Sequence, residues 1–181
     1  MALLCLGGAA SAQDAGIFSS PKGIGATAAT GVMDGAFYTL TAFIDIYGVP
    51  TSRCLYPGVR INASRQFILG EKQCRGYVMR FYAGPGFTAG YVRDHDKGRG
   101  IDLGSLMSDN QGFMFALSGD AGCRFDFGRT VALDLSFAAD AGIHFRRNEK
   151  EKTYAATNLS IFNNGIYQML YPQFTIFFKL P

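Results

Sequence analysis

From Gln111 to Phe145 the chain alternates between two kinds of side chain, and few folds accommodate that over such a length. The odd positions from Phe113 are Phe113, Phe115, Leu117, Gly119, Ala121, Cys123, Phe125 and Phe127. Between them lie Met114, Ala116, Ser118, Asp120, Gly122, Arg124 and Asp126. After Gly128 and Arg129 the pattern resumes. Val131, Leu133, Leu135, Phe137, Ala139, Ala141, Ile143 and Phe145 stand on one side, and Ala132, Asp134, Ser136, Ala138, Asp140, Gly142 and His144 on the other. A period of two means strands, so this stretch reads as two long strands joined by a tight turn. One face is apolar throughout; the other mixes Gly, Ala and Ser with isolated charges. A face turned to water would favour longer, solvated side chains. Small residues with single charges suit the crowded interior of a narrow barrel whose outside meets lipid.

Composition agrees with strands. Of the 181 residues 48% are hydrophobic and 17% charged, with 16 Phe, 9 Tyr, no Trp and 23 Gly. That balance favours strands and turns over helices. The length suits one domain. A net charge of +3 without a basic run gives no support for nucleic-acid binding. Met1 to Ala12, MALLCLGGAASA, is apolar and ends Ala10-Ser11-Ala12, the small-x-small pattern of a signal-peptidase site. It lacks a charged start, so it reads as the end of a longer signal peptide, with the barrel domain expected over 13–181. Leu3 and Leu4 before Cys5 are too bulky for a lipobox. No window offers about 18 uninterrupted apolar residues for a membrane helix, a scan to which a barrel is invisible. Cys54, Cys74 and Cys123 remain after the leader. Cys54 and Cys74 flank one strand, too far apart to bridge, and Cys123 lies on an apolar face as a small hydrophobe.

Further strands follow the same rule. Gly/Ala-rich residues from Lys22 form a weak strand that ends at the tight turn Asp34-Gly35, and Ala36 to Tyr47 forms the next. Val59 to about Leu69 precedes a polar turn at 70–76, and Tyr77 to Tyr91 follows. Inward glycines Gly84, Gly86 and Gly90 mark that last strand, and Pro85, which costs a ladder bond, reads as a bulge. Ile166 to Leu180 closes the chain. Connections alternate in length: short at 34–35, 70–76 and 128–129, long at 48–57, 93–110 and 147–165. Short turns at one end and long loops at the other are the habit of outer-membrane barrels. Seven strands are clear, and an even number is expected; the eighth falls in 13–21 or in Thr153 to Phe162.

The signal end, the alternating strands, AGPGFTAGYVRDHD at 83–96 and GIYQMLYPQFTIFFKL at 165–180 together resemble a known group. They are similar to the small outer-membrane β-barrels of Bacteroides-type bacteria, in the broad group typified by the OmpA transmembrane domain and OmpX. The resemblance implies an all-β, antiparallel up-and-down transmembrane barrel of about eight strands in the bacterial outer membrane. It also implies outer-membrane lipids and the barrel-assembly machinery as partners. Phe174, Ile176 and Phe178 match the aromatic last strand of such barrels, although the chain ends Lys179-Leu180-Pro181 and not in Phe or Tyr. The group has no single activity, so the resemblance implies fold and location only.

Candidate sites are few. Gly84-Pro85-Gly86-Phe87-Thr88-Ala89 imitates a dinucleotide loop but continues as strand, where a helix N-terminus is needed. Asp94-His95-Asp96-Lys97-Gly98 hints at a calcium loop, yet Gly98 stands where an oxygen ligand belongs. Arg60, Arg80, Asp120, Arg124, Asp134, Asp140, His144 and Lys179 all fall on lumen faces. Buried charges of mixed sign must pair, so these are expected to form a structural salt-bridge network that plugs the lumen. A lipid-A-modifying barrel enzyme is one alternative. His144 shares its strand face with Ser136, Asp140 and Asp134, but residues four or more apart on one strand cannot form a triad alone. No catalytic residue, metal or cofactor is assigned, and a monomer is expected. The other alternative, a soluble periplasmic ligand-binding barrel, requires an apolar lumen and a polar outside.

Overall fold

The computed structural model describes residues 12–46, 57–93, 111–148, 153–160 and 171–180. These form nine strands: β1 (Ala12–Ser20), β2 (Gly23–Thr30), β3 (Ala36–Asp45), β4 (Gly58–Cys74), β5 (Tyr77–Arg93), β6 (Gln111–Phe127), β7 (Val131–Asn148), β8 (Thr153–Ser160) and β9 (Tyr171–Lys179). Successive strands from β1 to β7 pair antiparallel, β7 pairs with β9, and β9 returns to β1. The sheet is a closed antiparallel barrel of eight strands.

The eighth wall position is shared. β9 pairs with the first half of β7, from Val131↔Phe178 to Ala138↔Tyr171. β8 pairs with the far end of the same edge, from Gly142↔Ser160 to Asn148↔Thr153. Both segments proposed for the missing strand are therefore strands, but only 12–20 adds a wall. The expected leader lies outside the described residues except Ala12, which opens β1.

The turns at 31–35, 75–76 and 128–130 lie at one end, here the turn end, beside both ends of the described chain. There the Leu180 N–H donates to the Gln13 carbonyl at 2.7 Å. Left-handed residues make these reversals: Asp34 (φ 51°) with Gly35 (φ 71°), Gly76 (φ 96°) and Gly128 (φ 60°). At the other end, here the loop end, the strands that flank 46–57 and 93–111 finish or begin, and one tight turn, Pro21-Lys22, joins β1 to β2.

Every wall strand sends alternate residues in and out. Outside stand Ile17, Leu40, Ile61, Phe87, Leu117 and Phe137, with Leu117 73% and Ile17 62% exposed. Inside, Asp45, Arg60, Arg124, Asp134 and Asp140 are buried with Phe18, Phe43, Tyr82, Met114 and Phe177. Phe18 packs on Phe43 with ring centroids 5.1 Å apart, and Phe37 meets Tyr82 edge-on at 5.2 Å.

Two sequence expectations need correction. β4 does not turn at 70; it runs to Cys74, and the reversal is Arg75-Gly76 alone. A register shift between Ile68 and Gly70 changes which residues point outward, so the alternation loses phase there. Pro85 is not a bulge either. The β4–β5 register is the same at Ser64↔Gly86 and at Phe67↔Ala83, and Pro85 pairs with Gly119 on the other side. In this register Arg65 stands opposite Pro85, which has no N–H to offer it. The Arg65 carbonyl lies instead against Gly84, where a Cβ would come within 1.9 Å of that oxygen. Glycine before the proline lets the two backbones approach without a bulge. Gly84→Ala is expected to destabilise the barrel by about 1–3 kcal/mol through overpacking. Gly119→Ala, where a Cβ meets nothing within 4 Å, should leave the denaturant midpoint unchanged.

Candidate functional site in the barrel interior

Strand alternation delivers the charged residues to the lumen, and the barrel's narrowness decides how they pair. At the loop end the centre is Asp140. It receives the Lys22 ammonium at 3.2 Å, Arg60 Nη1 at 3.6 Å and the Tyr171 hydroxyl at 3.0 Å. Arg60 also binds Asp45 through Nη2 at 2.6 Å and Nε at 2.7 Å. Lys22 rests over the Tyr171 ring, 3.7 Å from its centroid.

At the turn end the centre is Asp126. It receives Lys179 at 2.9 Å, Arg124 at 3.4 Å, and Arg80 through a charge-assisted hydrogen bond. Arg80 bridges onward to Glu71 at 2.7 Å, and that half-exposed carboxylate marks the mouth of the barrel. Arg124 pairs with Asp14 from β1 and lies over the Phe177 ring at 4.6 Å.

Between these clusters the lumen is held by neutral donors. Tyr82 donates to Asp134 at 2.6 Å, and Gln66 Nε2 to Asp120 at 3.0 Å. Asn62 Nδ2 reaches Thr88 at 2.9 Å and Ser118 at 2.8 Å. Ser136 donates to Gln173 at 3.1 Å, and the Thr27 and Thr41 hydroxyls lie 2.7 Å apart. Among them lies a cavity of about 40 Å³, lined among others by Phe43, Asn62, Tyr82 and Asp134. That is room for two or three water molecules.

Of the residues named from the sequence, Arg60, Arg80, Arg124, Asp140 and Lys179 take part in ion pairs. Asp120 and Asp134 face inward, but tyrosine and glutamine serve them where a cation was expected. The backbone of His144 pairs with Met114, while its side chain lies outside the described residues, as do Asp94 to Gly98. Gly84 to Ala89 lies mid-strand in β5, and no helix occurs among the described residues. Asp14, Lys22, Asp45, Glu71 and Asp126 were missed as network members. Asp45 and Asp126 stand on inward rows that alternation does identify; Lys22 sits in a turn, where alternation says nothing. Among the described residues no cluster suits a metal ion.

Lys22 belongs to the Pro21-Lys22 turn, outside the strands. Burial first, and then the nearby Arg60 charge, pull its ammonium down from 10.5 to about 8, against the opposing pull of Asp140. The unfolded chain therefore holds this proton more tightly than the folded one. Stability should rise as pH climbs from about 8 towards 10.5, and the rise should vanish in Lys22→Met. Denaturant titrations across that range measure it. Asp140→Asn leaves two cations facing a neutral group and should cost about 3–5 kcal/mol. Adding Lys22→Met to that variant should restore part of the loss.

Comparison of the chain with models of protein families, with curated proteins and with solved structures found no match.

Proposed function

We propose that this chain is an integral outer-membrane β-barrel with a lumen filled by its own side chains, serving a structural or surface-interaction role through its loops. The observation that carries this reading is the polarity of the wall. The same strands that bury Arg60, Arg124 and Asp140 expose Ile61, Phe125's neighbour Phe127, and Phe137. Soluble monomers rarely leave more than a few hundred Å² of contiguous apolar surface in water. Here apolar side chains stand out from every wall strand.

Strand length and closure support the same reading. A tilted strand crosses a bilayer's hydrocarbon in about 9–11 residues. β1 has 9 residues, β2 has 8, β3 has 10 and β9 has 9, while β4 to β7, with 17 or 18, extend beyond that span. A closed sheet leaves no wall strand with unpaired backbone groups in lipid. A soluble ligand-carrying barrel would need an apolar chamber of about 300 Å³ or more. This interior is charged at both ends, and its cavity is about 40 Å³.

Two measurements test the proposal. Folded and boiled samples of outer-membrane fractions should migrate differently on a gel; recovery in the soluble periplasm would overturn the assignment. Leu117, near the middle of β6, discriminates more sharply. In water, a substitution at a side chain this exposed changes stability by about 0.5 kcal/mol or less. In lipid, Leu117→Arg should cost about 2–4 kcal/mol.

A further inference from the structure

One outward row interrupts the apolar surface. Among the side chains described, the charged residues on outward-facing strand positions are Arg65 and Lys72, both basic and both on β4. Arg65 is exposed, and its backbone pairs with that of Tyr38 on β3. Its guanidinium lies over the Phe67 ring at 4.9 Å and the Tyr38 ring at 5.6 Å. Phe67 is two residues nearer the turn end and pairs with Ala36, the first residue of β3 after the 31–35 turn. The cation is thus drawn along the strand towards the level at which β3 begins.

Ring contacts hold this side chain in place without using its N–H groups. A guanidinium has five donors. The Arg65 guanidinium makes no hydrogen bond or ion pair among the described residues, and no acidic side chain shares the outward rows described. On a lipid-facing wall such a charge is costly at mid-depth and tolerable close to the headgroups, where an anion can meet it. Arginine also suits a phosphate in particular, since its planar fork can donate two parallel bonds.

We infer that Arg65, seated on Tyr38 and Phe67, binds the phosphate of an anionic phospholipid in the leaflet at the turn end. This rests on the membrane reading above and adds to it a defined lipid contact on the β3–β4 wall. The Tyr38 ring, 5.6 Å from the guanidinium, carries a hydroxyl that supplies a second donor for the same headgroup. Lys72, further along β4 towards the 75–76 turn, gives the same edge the same sign of charge.

The full chain, folded in detergent micelles doped with dioleoylphosphatidylglycerol, can be examined by native mass spectrometry for retained lipid. Arg65→Gln should hold that lipid about tenfold more weakly than the wild type, the loss of one charge-assisted contact. Arg129→Gln, in the 128–130 turn, should match the wild type and control for overall charge. Because Arg65 is on the surface, both variants should keep the wild-type gel shift on heating, which reports that they fold. Equal retention by Arg65→Gln and the wild type overturns the lipid site and leaves the membrane assignment standing. Failure of the wild type to float with phosphatidylglycerol–phosphatidylcholine vesicles overturns both.

Discussion

The ladder between β1 and β9 is the contact on which the rest depends. It runs from Asp14↔Lys179 to Ser19↔Phe174 and turns an open sheet into a closed one. Without it β1 and β9 would be edges, each with a row of unpaired N–H and C=O groups. Closure also brings together charges that the sequence keeps far apart. It carries Asp14, at the start of the described chain, to Arg124 on β6, and Lys179, at its end, to Asp126. An acid or a base buried alone costs several kcal/mol, so the lumen clusters and the closing ladder stabilise one another.

The wall was readable from the sequence wherever a strand alternates in a single phase. The β6–β7 hairpin is the plainest case, since Phe113↔Phe145 through Phe127↔Val131 stay in register across both strands. β1 was harder to see. Its residues AQDAGIFSS carry only Ile17 and Phe18 as large apolar groups, and these point to opposite sides of the wall. Alternation of small residues has almost no amplitude, and the segment follows directly on the apolar stretch MALLCLGGAAS. β4 was cut short for a different reason. The register shift at Leu69 moves the outward positions from Phe67 to Gly70 and Lys72, and a period-two pattern cannot follow such a slip. At Pro85 the rule that proline signals a bulge failed because the glycine before it supplied the needed space.

The interior was legible as a face and not as a set of partners. Alternation tells which way Asp134 and Asp140 point, yet only the register shows that one meets Tyr82 and the other meets Lys22, Arg60 and Tyr171. Partners lie up to 118 residues apart in sequence, as with Lys22 and Asp140. Lys22 was invisible because turns have no face. Its inward course follows from the tight reversal at Pro21-Lys22, which puts the ammonium above Tyr171.

The division of the lumen into ion-paired ends and a waist whose acids meet neutral donors has a physical logic. At the turn end long cationic side chains are desolvated less severely, since Glu71 and Lys179 remain partly in water, whereas at the loop end Lys22, Arg60 and Asp140 are buried and depend on one another. At mid-barrel that relief is absent, and the aromatic rings of Phe18, Phe43 and Tyr82 take up the space an arginine would require. Hydroxyl and amide donors then satisfy Asp120 and Asp134 without adding a second charge to be desolvated. The outcome is two layers of ion pairs with a cavity of about 40 Å³ between them. Among the described residues the lumen is taken up by paired side chains, and the outer wall differs from it in kind: it is apolar except where Arg65 and Lys72 stand on β4.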